Sequence, residues 1–279
     1  MRSERMLAGI IGGTGKMGRF FASVFAAAGW DVIVSGPETP LSNREVAERA
    51  DAVMVAVPIR RTIEVIGEVA PVLTEEQILC DITSLKVEPV RAMLATKAAV
   101  VGLHPMFGPG AESLRNQTII VTPARCGGAA LDRLLGVFRE QGAVLTFATP
   151  EEHDRMMAVI QGLTHFATLC AADTIRRTGV DVEESLAFTS PIYRIQMGLI
   201  GRLLAQDADL YGDMLRENPA VPEVLAAFED AVKHLRTIVE AGDPAAFREF
   251  FAKNTDHYAS YGKTATEETD DLIRYMVTR

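Results

Sequence analysis

Strand-like and helix-like segments alternate along the first half of the chain, and this alternation limits its fold more than any other feature. Most of the apolar runs are continuous, which is typical of strands covered by helices on both faces. Amphipathic segments such as 17–28 and 129–141 lie between the runs. The pattern predicts a doubly wound parallel α/β sheet. Its seven strands are predicted at residues 6–11, 31–35, 52–57, 77–82, 98–103, 118–122 and 143–148.

The strands stop after residue 149, and the rest of the chain has helical periodicity. A long helix is predicted over 151–178, with Thr149 as its N-cap and Pro150 at its first position. We therefore expect two domains, 1–149 and 150–279, of which the second is all-helical. More apolar residues line its helices than it can bury alone, which predicts a homodimer through this domain. Its further helices are predicted at 182–188, 192–205, 207–217, 221–241, 244–262 and 265–277.

Composition excludes several classes of protein. The net charge of −9 argues against nucleic acid or an anionic membrane as the main partner, although it does not exclude a small anionic substrate. The three cysteines, Cys80, Cys126 and Cys170, form no CxxC pattern, so neither a metal site nor a disulfide is expected. No stretch approaches the roughly 18 apolar residues of a membrane span, and the first apolar run is too short for a signal sequence. A reduced cytoplasmic protein is expected.

A glycine-rich loop follows the first strand and opens the first helix. In the run GxGxxG, Gly13 permits a tight turn, Gly15 lets the backbone approach a pyrophosphate, and Gly18 allows close packing of helix and strand. The N–H groups at the helix start favour phosphate binding. This context predicts a Rossmann-type domain that binds NAD(P). The residues between the glycines, Thr14, Lys16 and Met17, are expected to contact the cofactor.

Polar groups follow three later strands where each strand ends. Val57 and Pro58 close the third strand, and a proline there turns the chain out over the sheet edge. Ser84 and Lys86 follow the fourth strand, and His104 follows the fifth. Ligands of open α/β sheets bind at this edge. The pattern therefore favours a catalytic role for His104 over that of an ordinary loop residue.

Several longer motifs resemble one family. One set of runs occurs in order along both halves of the chain: VPI, DITSLK, GLHPMFGP, EEHDRMMAVIQGLTHFAT and SPIYRIQMGLIGRL. Together they closely resemble the prephenate dehydrogenase family of tyrosine biosynthesis. The match extends from about residue 6 to about residue 260. The resemblance implies a dinucleotide-binding domain and a helical dimerisation domain. It also implies oxidative decarboxylation of prephenate to 4-hydroxyphenylpyruvate, with hydride transfer to NAD(P)+.

The resemblance also implies roles for the residues at the strand ends. His104 would be the base that takes the proton from the ring hydroxyl of the substrate, a task that suits a side chain whose pKa lies near the working pH. Ser84 would contact this histidine and the nicotinamide. Lys86 matches a lysine at the substrate site.

Further residues of the helical domain are implied on the substrate side. Arg194 would bind a substrate carboxylate, because its planar guanidinium binds carboxylates in two places. Gln161 and His165 are four residues apart and should share a helix face. His165 lies in an apolar stripe, so a structural role as a buried core histidine is the alternative to a substrate contact. His153, twelve residues before it, is either a substrate contact or a first-turn surface residue.

The cofactor preference depends on the end of the second strand. Ser35 stands there, where NAD-selective sites usually have an acid, so the sequence favours NADP. Ser35 could donate to a 2′-phosphate, and Arg44 could add positive charge. Glu38 could instead serve as the missing acid, which leaves use of both cofactors open.

The substrate preference depends on nearby acids. Prephenate is expected over arogenate, because the matching helical segments offer no carboxylate for an ammonium group. The acids Glu151, Glu152 and Asp154 lie at a helix start and are expected to be solvated.

Two other classes of protein remain open as interpretations of the sequence. The run IIGGTGKMG also resembles F420-dependent NADP reductases, which would not need Arg194 or His104. A non-enzymatic regulator that binds NAD(P) and signals through a helical dimer would leave His104 and Ser84 without a purpose.

Overall fold

A computed structural model describes residues 5–278 of the chain. All seven predicted strands are present, and their observed ends lie within three residues of the predicted ones. The strands are β1 Leu7–Ile11, β2 Asp31–Ser35, β3 Ala52–Val55, β4 Ile78–Asp81, β5 Ala99–Pro105, β6 Thr118–Arg125 and β7 Val144–Phe147.

The helices of the first half connect these strands, and those of the second half follow one another directly. They are α1 Lys16–Ala27, α2 Asn43–Arg49, α3 Ile59–Val69, α4 Val87–Leu94, α5 Gly128–Arg139, α6 Pro150–Met157, α7 Thr164–Thr178, α8 Val182–Ala187, α9 Pro191–Leu204, α10 Ala208–Arg216, α11 Val221–Ala241, α12 Pro244–Tyr258 and α13 Gly262–Val277. None of the described helices is long and apolar enough to cross a membrane.

The strands form one sheet in the order β2-β1-β3-β4-β5-β6-β7. Strands β1 to β5 are parallel, as predicted. Strand β6 is antiparallel to β5, and β7 is parallel to β6, so the sheet is mixed rather than fully parallel. A parallel return would need a crossover helix. The segment 106–117 between β5 and β6 has no helix, so β6 turns back directly beside β5.

Two apolar layers cover the two faces of the sheet. Helices α1 and α5 form one layer, in which Phe21, Phe25 and Phe138 are fully buried and meet edge to face. Helices α2, α3 and α4 form the other, with residues such as Ile66 and Met93 in its core. Burial on both faces explains why the strands are continuously apolar. The sheet thereby holds its strand ends at fixed positions.

The long predicted helix 151–178 is interrupted by one wide turn. Thr149 caps α6 through a reciprocal pair of hydrogen bonds with Glu152. A π-helical turn, Ala158–Leu163, then leads into α7. This turn contains Gly162, the residue at which the sequence allows a distortion.

The described chain forms two compact units. The first unit contains the described residues up to Ala158 together with Gly212–Ala220, and the second contains Val159–Tyr211 and the described residues from Val221 onward. The chain therefore passes between units inside the π-helical turn. Residues 150–158 and 212–220 pack with the sheet unit, although the expected domain division assigned them to the helical half.

Candidate active site

A cavity of about 650 Å³ opens where β1, β2 and β3 end. Strand order reverses at β1, because β2 lies on one side of it and β3 on the other. Ligands of open α/β sheets bind in the crevice at such a point. The lining residues come from the glycine-rich loop, the ends of β2 and β3, and helices α2 and α3. They are Gly12, Thr14, Gly15, Gly36, Pro37, Leu41, Ser42, Asn43, Ala56, Val57, Pro58, Arg61, Val65 and Glu68.

The glycine-rich loop has the backbone that a dinucleotide requires. Gly12 has a φ of 84°, a conformation that favours glycine, and the N–H groups of Gly12 and Gly13 both donate to the Ser35 carbonyl at 2.9 Å. A Cβ at position 18 would lie 2.2 Å from the Gly12 carbonyl oxygen, so Gly18 lets α1 start close to the strand. Gly12 therefore supplies the positive φ of the tight turn, and the predicted Gly13 follows it in the same turn, where a Cβ would lie 2.5 Å from Val34 Cβ. The doubled glycine of the sequence was the signal for it.

The start of α1 suits a phosphate group. Its N-cap, Gly15, provides no side-chain hydrogen bond, and the first turn contains no acid. The first N–H groups of a helix have no partner within the helix, and its positive dipole end favours anions. Lys16 is exposed at the first helical position, whereas Met17 packs against the apolar core. The loop and helix start thus fit a pyrophosphate, with Met17 in a supporting position.

A chain of hydrogen bonds crosses the end of β2. The buried Ser35 hydroxyl donates to Asn43 Oδ1 at 2.8 Å, and Asn43 Nδ2 donates to Glu68 Oε2 at 2.8 Å. Arg44 Nε donates to the backbone oxygen of Glu68. The hydroxyl hydrogen of Ser35 is therefore directed at Asn43, and Arg44 is held outside the cavity lining. Both side chains that favoured NADP in the sequence are engaged elsewhere.

Glu68 brings an acid to the cavity, and the sequence analysis did not single it out. It lies on α3 at i+7 from Arg61 and i+3 from Val65, so the three side chains share one helix face. The helical spacing was the available signal, but only the fold places this face beside the end of β2.

Lys86 lies in the interior. Its ammonium group pairs with Asp81, and both side chains are completely buried. Gly102 makes room for it, because a Cβ there would lie 2.8 Å from Lys86 Cδ. Burial lowers the pKa of Lys86, while the neighbouring Asp81 acts to raise it. This placement corrects the expectation that Lys86 contacts the substrate, since no part of its side chain is exposed.

His104, at the end of β5, belongs to a buried polar chain. His104 Nδ1 lies 2.8 Å from His153 Nε2, and His153 Nδ1 lies 2.7 Å from Asp154 Oδ1. Asp154 also accepts the backbone N–H groups of Lys86 and Val87 at 2.8 and 3.0 Å. The expectation that Asp154 is solvated was wrong, as was the interpretation of His153 as a surface residue. Helix α6 packs against α4 and β6, so this side of its first turns faces inward.

The environment of His104 keeps its ring neutral. Burial lowers the pKa of His104 well below its ordinary value, and the nearby His153 and Lys86 act in the same direction. A neutral imidazole at neutral pH can accept a proton, which is what a general base requires. Ser84 is half-buried on the segment after β4. His104 Nδ1 is bonded to His153 rather than to this serine.

The remaining predicted residues lie in the second compact unit. Arg194 is exposed in the first turn of α9, a turn that contains no acid. His165 is half-buried in α7, and its ring meets Tyr211 edge to face at 4.8 Å between centroids. Burial lowers the pKa of His165. Gln161 is half-buried in the π-helical turn.

The Rossmann-type sheet, a cavity that suits a dinucleotide and a buried histidine with a lowered pKa at the same sheet edge are the features of an NAD(P)-dependent oxidoreductase. Two family models match the chain, described as the nucleotide-binding domain of prephenate dehydrogenase over residues 38–147 and its dimerization domain over residues 149–253. The chain belongs to the prephenate dehydrogenase family. The glycine-rich loop lies before the first matched range, so its assignment depends on the local geometry.

Relatives from several organisms agree with this membership. A probable arogenate/prephenate dehydrogenase of Methanocaldococcus jannaschii is 34% identical over 98% of this chain and 66% of its own length. The T-protein of Haemophilus influenzae is 34% identical over 95% of this chain and 70% of its own length. This chain therefore spans about two-thirds of each relative.

The fold is shared with a solved structure. The crystal structure of A. aeolicus prephenate dehydrogenase, in complex with hydroxyphenyl propionate and NAD+, superposes with a TM-score of 0.74 at 20% identity. The similarity covers 93% of this chain and 99% of that one.

Proposed function

We propose that the chain catalyses the oxidative decarboxylation of prephenate to 4-hydroxyphenylpyruvate, with NAD(P)+ as hydride acceptor, in tyrosine biosynthesis. One observation carries this proposal above the others. A buried histidine with a lowered pKa lies at the end of β5, on the sheet edge where the cavity suited to a dinucleotide opens. Together with membership of the family, this supports a dehydrogenase that removes a proton and a hydride from one alcohol.

The proposed chemistry divides between His104 and the cofactor. His104 would take the proton of the ring hydroxyl. A nicotinamide dinucleotide, held by the glycine-rich loop and the cavity at the ends of β1 to β3, would supply the hydride acceptor for the carbon that bears this hydroxyl. The resulting ketone accepts the electron pair of the breaking carbon–carbon bond, so that carbon dioxide leaves and the ring becomes aromatic. A base that is neutral at working pH and held in place is what this step needs from the protein.

The helical unit supplies the proposed groups for substrate binding. Arg194 lies in the first turn of α9, where the helix dipole adds positive potential and the turn itself contains no acid. A carboxylate of prephenate is the matching ligand. His165 and Gln161 are proposed as further contacts on the substrate side, and Ser84 as a contact to the reacting hydroxyl and nicotinamide.

We propose that prephenate is preferred over arogenate. Prephenate has a keto group where arogenate has an ammonium group, and a site for an ammonium group needs a nearby acid. Asp154 is engaged with two backbone N–H groups and with His153, and Glu152 is engaged in the cap of α6. These two carboxylates therefore already have hydrogen-bond partners within the protein, and neither is placed to bind an ammonium group of a substrate.

We propose that NAD+ is preferred over NADP+, which reverses the preference that the sequence favoured. The carboxylate of Glu68 lines the cavity and is held by Asn43 near the end of β2. A carboxylate there accepts a hydrogen bond from a ribose 2′-hydroxyl and repels a 2′-phosphate. Arg61 also lines the cavity, but its guanidinium pairs with Glu64 at 2.8 Å. The charges near the end of β2 therefore favour NAD+, which lacks the 2′-phosphate.

The test compares kcat/KM for prephenate and arogenate with each cofactor. The absorbance of the reduced nicotinamide monitors each reaction. The expected order places prephenate with NAD+ first, with release of carbon dioxide in equal amount. Turnover of neither substrate would overturn the proposed activity and favour a regulator that only binds the cofactor. Equal values for the two substrates would overturn the prephenate preference alone.

The cofactor preference has its own variant. Glu68→Gln removes the charge and keeps the shape, so the ratio of kcat/KM for NADP+ to that for NAD+ should rise about tenfold, which corresponds to about 1.4 kcal/mol. Glu75→Gln, an exposed acid outside the cavity lining, is the control. An unchanged ratio in Glu68→Gln would show that this acid does not select the cofactor.

A further inference from the structure

We propose that His153 and Asp154 form a positioning relay that fixes the ring tautomer of His104. The relay consists of three side chains connected in series, Asp154, His153 and His104, with contacts of 2.7 and 2.8 Å. Its kinetic consequence rests on the proposed function, whereas the tautomer itself is a property of the unliganded protein.

Asp154 sets the direction of the first hydrogen bond. Its Oδ1 accepts the N–H of Lys86 and its Oδ2 accepts the N–H of Val87, so both oxygens act as acceptors toward the start of α4. A carboxylate in this role can only accept. The contact to His153 Nδ1 therefore requires that this nitrogen carries the hydrogen.

The second hydrogen bond then follows from the first. A neutral imidazole has one donor and one acceptor nitrogen. Since His153 donates from Nδ1, its Nε2 carries a lone pair and accepts. His104 must therefore donate from Nδ1, and Nε2 of His104 carries the lone pair of the base. The alternative arrangement of protons would leave two lone pairs facing each other across 2.8 Å.

Burial keeps this arrangement in its neutral form. His104, His153 and Asp154 are all buried, and burial lowers the pKa of both histidines. The other charged groups that face the histidines are Lys86, whose charge opposes protonation, and Asp81, which pairs with Lys86. When His104 gains a proton, its Nδ1–H continues to donate to His153, and the carboxylate of Asp154 stabilises the positive charge along the relay.

The local sequence holds the relay rigid. The two relay residues are consecutive on α6 and directly follow Glu152, which forms the capping pair with Thr149. Asn218 Nδ2 donates to the backbone oxygen of Asp154 at 2.8 Å and fixes the helix from the other side. A ring held at Nδ1 from a rigid helix presents Nε2 in one direction, which is the contribution expected of a positioning group.

The direct test is nitrogen NMR of the histidine rings in the protein without substrate, with His104→Asn used to assign the signals. The expected spectrum above the pKa of His104 shows a protonated Nδ1 and a lone pair on Nε2. In His153→Phe, which keeps a ring of similar size but accepts no hydrogen bond, the His104 signals should shift to a mixture of tautomers. A wild-type His104 protonated on Nε2, or an unchanged spectrum in His153→Phe, would overturn the relay whether or not prephenate is a substrate.

Kinetics provide the second readout. His153→Phe should lower kcat by on the order of tenfold to a hundredfold, as loss of an orienting partner typically does, with KM for prephenate nearly unchanged. His153→Gln should recover part of this loss, because its amide oxygen can accept from His104 Nδ1. Asp154→Asn should shift the acid limb of kcat/KM to lower pH, because the imidazolium loses its countercharge.

A matched control separates the effect of the relay from the effect of removing any negative charge nearby. Glu151→Gln changes an exposed acid on the same helix turn and should leave the tautomer and the pH profile unchanged. A rise in KM with unchanged kcat in His153→Phe would instead identify His153 as a substrate contact, and would overturn the positioning role. If Asp154→Asn does not fold, the His153 variants carry the test alone.

Discussion

At the scale of single residues, a buried ion pair lies near the sheet edge of the proposed active site. Lys86 and Asp81 are both fully buried, and Asp81 Oδ1 accepts no hydrogen bond from any described residue. Taking two charges out of water costs free energy that their attraction only partly returns. The pair also acts on His104, because burial, the nearby His153 and the Lys86 charge all lower the pKa of that histidine.

Lys86→Met tests this pair. The substitution leaves the Asp81 charge buried without its countercharge, which should lower the free energy of unfolding by about 3–5 kcal/mol. Urea unfolding followed by circular dichroism measures the change. The double variant Lys86→Met with Asp81→Asn should recover much of the loss, because no buried charge remains. Wild-type stability in the single variant would contradict the expected cost of leaving the Asp81 carboxylate buried without Lys86.

The sequence located His104 but misjudged its partners. His104 was singled out because three successive strands of a local pattern end in polar groups at one sheet edge. His153 and Asp154 stand among acids at a helix start, a pattern typical of solvated residues. Their burial comes from the packing of α6 against α4 and β6, which no local pattern contains. The same limit applies to Glu68, which reaches the cavity only through the placement of α3.

At the scale of elements, the start of α1 is expected to control cofactor affinity. A Cβ in Gly18→Ala would lie 2.2 Å from the Gly12 carbonyl oxygen and 2.7 Å from Gly13 Cα, so the helix start must move. NAD+ binding, measured by calorimetry, should weaken by about tenfold or more. Gly67→Ala on α3 is the control, because a Cβ there meets no atom within 4 Å. Equal affinity in Gly18→Ala and wild type would contradict the proposed phosphate site.

Helix α9 is expected to control substrate affinity. Arg194→Ala should raise KM for prephenate by about tenfold or more with a smaller change in kcat, since hydrogen bonds to charged groups contribute about 1.5–3 kcal/mol. Arg202→Ala, which removes an exposed arginine in the last turn of the same helix, should leave KM unchanged. An unchanged KM in Arg194→Ala would mean that Arg194 has a structural role.

Most strands and helices could be predicted because their periodicity is a local property of the sequence. The features that were missed depend on how one element connects to the next. Helix α11 has the predicted bounds, and α9 differs by one residue at each end. The direction of β6 was missed, because strand–helix alternation predicts parallel returns and the segment before β6 contains no helix. The π-helical turn at Ala158–Leu163 was foreseen only as a distortion near Gly162.

At the scale of the whole molecule, the helical unit exposes large apolar side chains. Phe188 is 86% exposed, Val239 63% and Phe251 62%. Exposed apolar area of this kind marks interaction surfaces, and the family model for this part of the chain is named as a dimerization domain. Sedimentation velocity should show a homodimer at micromolar concentration. A monomer under these conditions would contradict the proposed dimer without affecting the proposed base.

The most direct test of the proposed mechanism compares prephenate turnover by the wild-type protein and His104→Asn with NAD+. Loss of the general base should lower kcat by roughly 10²–10⁴-fold, while NAD+ affinity stays near the wild-type value. In the wild type, kcat/KM should fall with decreasing pH only below the ordinary histidine pKa of about 6.5, because burial lowers the pKa of His104. Near-normal turnover in His104→Asn, or an acid limb above that pH, would contradict the assignment of His104 as the base.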